Sequence, residues 1–366
     1  MQSNIDSMGH LPDGAVDSPF ADQQRSPEPC DLCGGRQFEL IARRDRHGKP
    51  LDTGICRDCG LVRHWRLPEP EELARFYAQE YRQSYHGETT PGARRVMRAW
   101  HNGQRILREL SPHVRSGGSV FEVGAGIGCT VKVFEQAGFR AAGIEPHQGF
   151  QSFSRERIGA DVEQGDLFDL HRWPTHDLVL LVHVIEHLRS PSEALRHIHG
   201  LLRPDGCLYV ECPNLAAPFA TQPRLFHYAH IHNFTPSSLI MTAEKAGYRL
   251  RRLVAGADEP NLQMLFSRVD MRQLKIDPHN YSRTLEAIAR YSPLSYHLRF
   301  DYLIPRAAKL VSYAQEYLLA PLLVPRLLAR FQTPAIAPAA EPSTTAAEPQ
   351  TVRFPTAEER RQRRAA

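Results

Sequence analysis

A glycine-rich turn behind a short apolar segment is the feature that most restricts how this chain can fold. Residues 120–123 have the composition of a buried strand, and glycines follow at positions 124, 126 and 128. Residues 131–137 then have the pattern of a helix. Glycines let the backbone approach a ligand closely, and open α/β sheets bind ligands at the carboxyl ends of their strands. The segment therefore predicts a strand–turn–helix unit that binds a cofactor.

Apolar segments alternate with helical patterns on both sides of this turn. Further strands are expected at 141–144, 177–182, 207–210, 248–254 and 262–269. Pro204, Asp205 and Gly206 are expected to form a turn before one of them. Alternation of this kind predicts an α/β fold with a mostly parallel sheet and helices on both faces.

Four of the seven cysteines form two CxxC pairs, and each pair is followed by glycine. The pairs are Cys30 with Cys33 and Cys56 with Cys59. Two such loops present four thiolates in a tetrahedron, which favours a structural zinc site over a redox dithiol or two disulfides. The segment is small and poor in core residues, so metal binding would supply folding energy. The remaining three are expected to be small buried hydrophobic residues: Cys129, Cys207 and Cys212.

The composition along the chain predicts six regions. They are a disordered leader at 1–29, a zinc ribbon at 30–65, a helical connector or lid at 66–116, an α/β core at 117–270, a helical C-terminal extension at 271–333 and a disordered tail at 334–366. Tyr77, Tyr81 and Tyr85 lie on one face of the connector and either cover the site or pack in the core. The apolar residues at 317–331 are expected to pack on the protein's own sheet. Contact with a membrane surface or a partner helix is the alternative, but Pro321 and Pro325 weaken a long interfacial helix.

The charge balance and hydropathy exclude several classes of protein. The formal net charge is only +4 over 366 residues, so a strong electrostatic attraction to nucleic acid is not expected. No stretch of about 18 apolar residues predicts a membrane span, and the polar start of the chain does not predict a signal peptide. We therefore expect a soluble cytoplasmic protein.

The order and spacing of the motifs over residues 118–250 resemble the class I S-adenosylmethionine-dependent methyltransferases, in their subgroup of small-molecule enzymes. The matching segments are EVGAGIG at 122–128, GIEP at 143–146, GDL at 165–167, HVIEHL at 183–188, LLRPDG at 201–206, VECPN at 210–214 and HNFTPSSL at 232–239. The CxxC ribbon in front resembles that of the zinc-ribbon methyltransferases, some of which act on sugars. This resemblance implies a Rossmann-like sheet of seven strands.

The resemblance also implies which residues bind the cofactor. The turn with Glu122 would embrace the methionine part, Glu145 would bind both ribose hydroxyls, and Asp166 would lie beside the adenine amino group. The full set implied is Glu122, Gly124, Ala125, Gly126, Gly128, Glu145, Pro146, Asp166, Leu167, His183 and Val184. Each acidic residue has a structural alternative, as a cap, a solvated strand end or a turn former.

A base is required if the acceptor is a hydroxyl or a carbon acid. Our first candidate is His187, since it follows the fourth core strand and histidine titrates near neutral pH. The other candidates are Glu211, His227, His230 and His232. Each histidine has a hydrogen-bonded structural role as its alternative. A catalytic metal site among the histidines is a further alternative, although no ligand spacing demands it.

The sequence thus predicts methyl transfer to a small-molecule acceptor such as a sugar, a nucleotide-sugar or another biosynthetic intermediate. An NAD-dependent oxidoreductase is one alternative, but Cys129 stands where its third glycine would be. A non-enzymatic zinc-ribbon scaffold is another. An RNA methyltransferase is a third, suggested by ribbon arginines 43, 44, 46 and 63. The acceptor atom and the oligomeric state are not predicted.

Overall fold

Seven strands form the larger of the two sheets in the computed structural model of this chain. The structure describes residues 27–76 and 91–331, apart from 172, 174, 218–219, 222–223, 272, 291–292 and 298–299. Across this sheet the strands are β10 (Tyr248–Leu253), β11 (Asn261–Arg268), β8 (Leu202–Pro213), β7 (His176–Val182), β4 (Ser119–Val123), β5 (Arg140–Glu145) and β6 (Val162–Gln164). The predicted leader up to residue 26, the three connector tyrosines and the tail lie outside the described residues.

The centre of the sheet is parallel and its far edge is antiparallel. β4 pairs in parallel with both β5 and β7, while β11 runs antiparallel to β8 and β10. β7 is buried almost throughout, as expected for a parallel strand covered on both faces. The predicted Rossmann-like α/β sheet of seven strands is confirmed. The sheet reverses its strand order at β4, and this is where such folds form a ligand crevice.

Helices cover both faces of the sheet. They are α1 (Pro70–Arg75), α2 (Ala93–Leu110), α3 (Cys129–Gln136), α4 (Gln148–Phe153), α5 (Pro191–Leu201), α6 (Pro236–Lys245), α7 (Asn280–Ala289), α8 (Pro293–His297) and α9 (Phe300–Phe331). One core cluster joins the sheet to α5 and α6, and a second joins it to α2, α3 and α9. The three cysteines expected in the core are buried there.

The turn expected at 204–206 lies within β8. β8 pairs with β7 at Leu202 and next at Cys207, whereas its partners in β7 are only two residues apart. The additional residues bulge out of the ladder without ending the strand. The local turn signal is therefore accommodated by irregular pairing within one strand.

The smaller sheet joins the cysteine-rich segment to the core. Its order is β1 (Phe38–Arg44), β2 (Pro50–Cys56), β3 (Val62–His64) and β9 (His232–Asn233). β9 belongs to the loop that follows β8, so the ribbon shares backbone hydrogen bonds with that loop. Three of the four ribbon cysteines are buried in the same apolar cluster as the strands of the larger sheet.

Asp31, inside the first CxxC loop, caps helix α5. Its carboxylate accepts hydrogen bonds from the Ser192 amide at 2.8 Å and from the Ser190 hydroxyl at 2.6 Å. The Asp31 backbone carbonyl also accepts from Lys245 Nζ at 2.5 Å. A carboxylate at a helix N-terminus satisfies unpaired amides and faces the positive end of the helix dipole. This cap fixes the ribbon to the core.

Helix α9 is continuous over 32 residues, and the expected interruption by prolines is wrong. Its buried side chains pack on α2, where the rings of Phe331 and Trp100 are 4.8 Å apart and Glu316 pairs with Arg98 at 2.5 Å. Three α9 residues, Ala320, Val324 and Phe331, also belong to the apolar cluster that includes side chains of β4 and β7. Leu318 and Leu322 are exposed. Within the described residues, no helix is long and apolar enough to span a membrane.

Replacing Asp31 with alanine should destabilise the folded protein. The variant leaves the first turn of α5 without its charged acceptor, and hydrogen bonds to charged groups contribute about 1.5–3 kcal/mol each. We expect the free energy of unfolding in urea to fall by about 1–3 kcal/mol. The exposed Asp258→Ala is the matched control and should stay close to wild type. Equal stability of the two variants would contradict this account of the cap.

Candidate active site

The glycine turn adopts the left-handed backbone that its sequence suggests. Gly124, Gly126 and Gly128 have φ of 70°, 57° and 74°. A Cβ on Gly124 would lie 2.7 Å from Val184 Cγ2, so this glycine allows the segment after β7 to approach the turn. A Cβ on Gly126 would meet nothing within 4 Å. The turn thus packs on its neighbour at one glycine and faces open space at the next.

Glu145, at the end of β5, is held against this turn. Its Oε2 accepts the Gly126 amide at 2.9 Å and its Oε1 accepts the His147 amide at 3.1 Å. A carboxylate can accept more than two hydrogen bonds, which is what binding both hydroxyls of a ribose would require. The structure therefore brings together two elements that the sequence predicts to bind the cofactor. The ribose role of Glu145 stays a prediction.

Glu122 lies under the turn in a dry environment. Its side chain is buried, and burial raises its pKa to about 8. A hydrogen bond with Thr130 lowers the pKa, and the charge of Glu145 raises it further. Its Oε2 has no hydrogen-bond partner in the structure. A buried acceptor without a partner costs free energy, which a ligand donor or a proton would recover.

The third segment predicted to bind the cofactor, residues 165–167, follows β6. Asp166 is exposed and accepts the Phe168 amide at 3.0 Å, which makes it the cap of the short turn Leu167–Asp169. Leu167 is buried, and Pro146 follows β5 in the neighbouring loop. The alternative of a turn former is thus observed for Asp166. Its place beside adenine stays a prediction.

His183 is the most unusual residue at this edge of the sheet. Among the described residues it is the one non-glycine with a positive φ, at 54°. Its Nδ1 lies 3.2 Å from Glu186 Oε1 and its Nε2 lies 3.9 Å from Glu211 Oε1. Burial lowers the pKa of His183, but the two carboxylates outweigh it and the net shift is upward. The side chain keeps 43% exposure, so part of the ring is open to solvent.

Glu211 is part of an ion pair that the sequence did not predict. Arg105 from α2 donates to its Oε2 at 2.6 Å, and the Tyr209 hydroxyl donates to the same atom at 2.8 Å. Arg105 also donates to Gln263 at 2.7 Å. Arg105 lies 106 positions away from Glu211, and nothing in the local sequence pattern reveals such a pair. Glu211 therefore has a charge partner, which makes it a weaker candidate for a base.

The remaining histidines collect beside Glu186. His187 Nδ1 lies 2.7 Å from the Ala229 carbonyl oxygen, so this nitrogen carries the proton that is donated. His187 Nε2 and His230 Nε2 lie 3.9 and 4.0 Å from Glu186 Oε1. The His227 ring contacts that of His230, with centroids 3.7 Å apart and the ring planes tilted by 47°.

Burial determines the protonation of most of these rings. It lowers the pKa of His227 to about 3, and it lowers that of His230 well below the ordinary value. His232, in β9, is fully buried and its Nδ1 donates to the Leu188 carbonyl at 3.0 Å. The pKa of His232 falls to about 4, again mainly through burial. These three imidazoles are therefore neutral at physiological pH.

The ribbon cysteines converge on one point. Sγ of Cys30 lies 3.5 Å from that of Cys59, and the Cys33 and Cys56 sulfurs are also 3.5 Å apart. A disulfide requires about 2.05 Å. Tetrahedral zinc with Zn–S bonds of about 2.3 Å requires sulfurs ~3.8 Å apart. The four thiols therefore fit a closed zinc site.

The ribbon arginines are not all available to a nucleic acid. Arg63 is fully buried, with its guanidinium 4.5 Å from the centre of the Phe38 ring and hydrogen-bonded to the Glu28 carbonyl. It thus serves the packing of the small sheet. This observation weakens the alternative of an RNA enzyme.

The core of this chain is similar in sequence to known methyltransferases. Residues 93–253 match the model of a methyltransferase domain family. The chain is 27% identical over 212 residues to the C-methyltransferase NovU of Streptomyces niveus, covering 55% of this chain and 47% of that protein. It is 24% identical over 141 residues to an uncharacterized methyltransferase of Staphylococcus carnosus, covering 38% of this chain and 65% of that one. The chain thus spans about half to two thirds of these relatives.

A solved structure also resembles this fold. The 1,6-didemethyltoxoflavin-N1-methyltransferase of Burkholderia thailandensis, with 1,6-didemethyltoxoflavin and S-adenosylhomocysteine bound, has a TM-score of 0.43 and 20% identity. The match covers 64% of this chain and 100% of that one.

Glu122 should make the stability of the ligand-free protein depend on pH. Its pKa rises from 4.5 to about 8 on folding, so folding takes up a proton between these values. Stability then falls as pH rises through this window, and the full cost is present above pH 8. Glu122→Gln removes the cost, so the variant should exceed wild type by on the order of 2–5 kcal/mol at about pH 9 and match it near pH 5.

Urea unfolding across this pH range measures the difference. Glu156→Gln, at an exposed position, is the control, and its difference from wild type should not grow with pH. A pH-independent difference for Glu122→Gln would show that Glu122 ionises freely in the folded state.

Proposed function

We propose that this chain, whose residues 93–253 match the model of a methyltransferase domain family, transfers the methyl group of S-adenosylmethionine to a small-molecule acceptor. The observation that carries the proposal is the hydrogen bond of 2.9 Å between Glu145 and the Gly126 amide of the glycine turn. At the same edge of the sheet, the partly exposed His183 lies 3.2 Å from Glu186 and 3.9 Å from Glu211. Bound there, the cofactor supplies an electrophilic methyl sulfonium. The protein contributes position and orientation, which are worth about 7–11 kcal/mol in favourable cases.

The residues of the predicted cofactor set fit such a ligand. We propose that the turn from Gly124 to Gly128 holds the methionine part and that Glu145 accepts from the ribose hydroxyls. Glu122, with its unpartnered buried oxygen, suits a neighbouring ammonium group. Asp166 and Leu167 follow the next strand along the same edge and suit the adenine.

We propose a sugar, and in particular a nucleotide-sugar, as the acceptor, with carbon as the methylated atom. The support is the relative named as a C-methyltransferase and a cleft of about 160 Å³ next to the histidine cluster. Arg46 and Arg224 line this cleft together with His227 and His230. Guanidinium groups recognise phosphate oxygens well, so a nucleoside diphosphate suits this lining.

We propose His183 as the general base. Because Glu186 accepts from its Nδ1, the lone pair is on Nε2, which is the arrangement of a histidine oriented by a carboxylate. The Glu211 carboxylate, 3.9 Å from Nε2, stabilises the imidazolium that forms. His187 was the first candidate from the sequence, but only 10% of its side chain is exposed and its Nδ1 is engaged by Ala229. The left-handed backbone of His183 is also the kind of strain found at functional sites.

We propose a structural zinc ion in the four-cysteine site. Its support is the spacing of the sulfurs and the burial of Cys30, Cys56 and Cys59 in the main core cluster. Because β9 pairs with β3, an ion that orders the ribbon also orders the loop that carries His230 and His232.

The cofactor is tested by calorimetric titration with S-adenosylmethionine, S-adenosylhomocysteine and NADH. We expect the two sulfur ligands to bind and NADH not to bind. Glu145→Ala should raise the dissociation constant for both by about 10–100-fold, as expected for lost hydrogen bonds to a charged group. Glu193→Ala, an exposed carboxylate on α5, is the control and should bind as wild type. Absence of sulfur-ligand binding by the folded protein would overturn the proposal, and NADH binding would select the oxidoreductase.

The base is tested with an acceptor found in a screen that begins with nucleotide-sugars. His183→Gln should lower kcat by about 10²–10⁴-fold, the usual contribution of a general base. The affinity for S-adenosylhomocysteine should change little, because the base acts on the acceptor and glutamine keeps a hydrogen-bonding side chain beside the cofactor. The exposed His171→Gln is the control and should retain full kcat. An unchanged kcat in His183→Gln would exclude this residue as the base.

A further inference from the structure

Glu186, His187 and His230 form a compact group outside the ribbon. One ligand atom from each lies within 4.8 Å of the other two. Glu186 and His187 come from the short turn Ile185–His187 after β7, and His230 comes from the loop before β9. The three side chains are 2%, 10% and 18% exposed. Two separate segments thus place two imidazoles and a carboxylate in one largely dry location.

The hydrogen bond of His187 fixes which of its nitrogens faces the group. The Ala229 carbonyl can only accept, so Nδ1 carries the proton and Nε2 presents a lone pair. That lone pair lies 3.9 Å from Glu186 Oε1, which is also an acceptor and is too far away for a hydrogen bond. Histidines that bind metals almost always donate their other ring N–H to a carbonyl or a carboxylate. The arrangement is therefore that of a ligand with its supporting contact already made.

Glu186 supplies an independent observation. Its side chain is almost fully buried, and its Oε2 has no hydrogen-bond partner in the structure. Its Oε1 accepts from His183 Nδ1. A buried carboxylate oxygen without a partner costs free energy, and a cation recovers that cost.

We propose that Glu186, His187 and His230 bind a divalent transition-metal ion of the zinc or manganese class, separate from the ribbon zinc. Two histidines and one carboxylate are a ligand set that leaves coordination positions open. Nitrogen and oxygen ligands at about 2.0–2.1 Å from a tetrahedral ion lie ~3.3 Å apart, so the observed 3.9 and 4.0 Å must shorten by about 0.6–0.7 Å when the ion binds. At the open positions the ion would bind an acceptor oxygen as a Lewis acid.

The ion's binding is independent of the proposed methyl transfer and is measured without it. Full-length protein without an affinity tag, with its ribbon loaded with zinc, is titrated with Mn²⁺ and free Mn²⁺ is followed by electron paramagnetic resonance. Manganese is chosen because it prefers carboxylate and imidazole to thiolate ligands. We expect one Mn²⁺ per chain in the wild type, and a rise in dissociation constant of at least about tenfold in Glu186→Gln and in His230→Asn.

His227→Asn is the matched control, since it removes a ring 3.7 Å from His230 that is not among the three ligands. It should bind Mn²⁺ as wild type does. Circular dichroism and one zinc per chain show that each variant is folded. If Glu186→Gln does not fold, the Mn²⁺ affinity of His230→Asn alone tests the proposed site. Failure of the wild type to bind Mn²⁺, or equal losses in His230→Asn and His227→Asn, would overturn the proposal. S-adenosylhomocysteine binding in the same samples tests the proposed function separately.

Discussion

The parallel pairing of β4 with both β5 and β7 is the constraint on which the site depends. Because β4 is central, the loops that leave the carboxyl ends of three adjacent strands meet at one edge. The turn after β4 then reaches Glu145 at the end of β5 through the Gly126 amide, and Gly124 makes room for Val184 after β7. Residues from three distant parts of the chain thus meet at one edge of the sheet without any long loop having to cross it.

The ribbon extends this arrangement to the histidine cluster. β3 contributes two residue pairs to β9, which fixes the end of the loop that carries His227 and His230. Asp31 meanwhile caps α5, the helix that follows the His183–His187 segment. The ribbon therefore contacts the core at the two segments that supply the histidine cluster. A small sheet that folds around a metal can in this way order a neighbouring loop that has little secondary structure of its own.

The sequence predicts the parts of this structure that depend on local pattern, and it misses those that depend on distant contacts. The glycines at 124–128 indicate the turn because few other residues tolerate the left-handed backbone, and strand and helix periods indicate the sheet. By contrast, the pairing of Arg105 with Glu211 and of β3 with β9 leaves no local signal. The sequence also predicts that prolines interrupt the segment at α9, whereas the helix is continuous, because tertiary packing on α2 outweighs the local cost of proline.

Several groups at the site are held in states that cost free energy in the absence of a ligand. His183 has a strained backbone, a feature that costs on the order of 1–3 kcal/mol, while Glu122 and Glu186 each bury a carboxylate oxygen without a partner. The surrounding sheet, packed on both faces, supplies the stability that keeps them in place. A ligand that donates to these oxygens removes part of the cost only in the folded state. Binding and folding stability are therefore coupled at this edge of the sheet, since whatever binds the native protein alone also stabilises it.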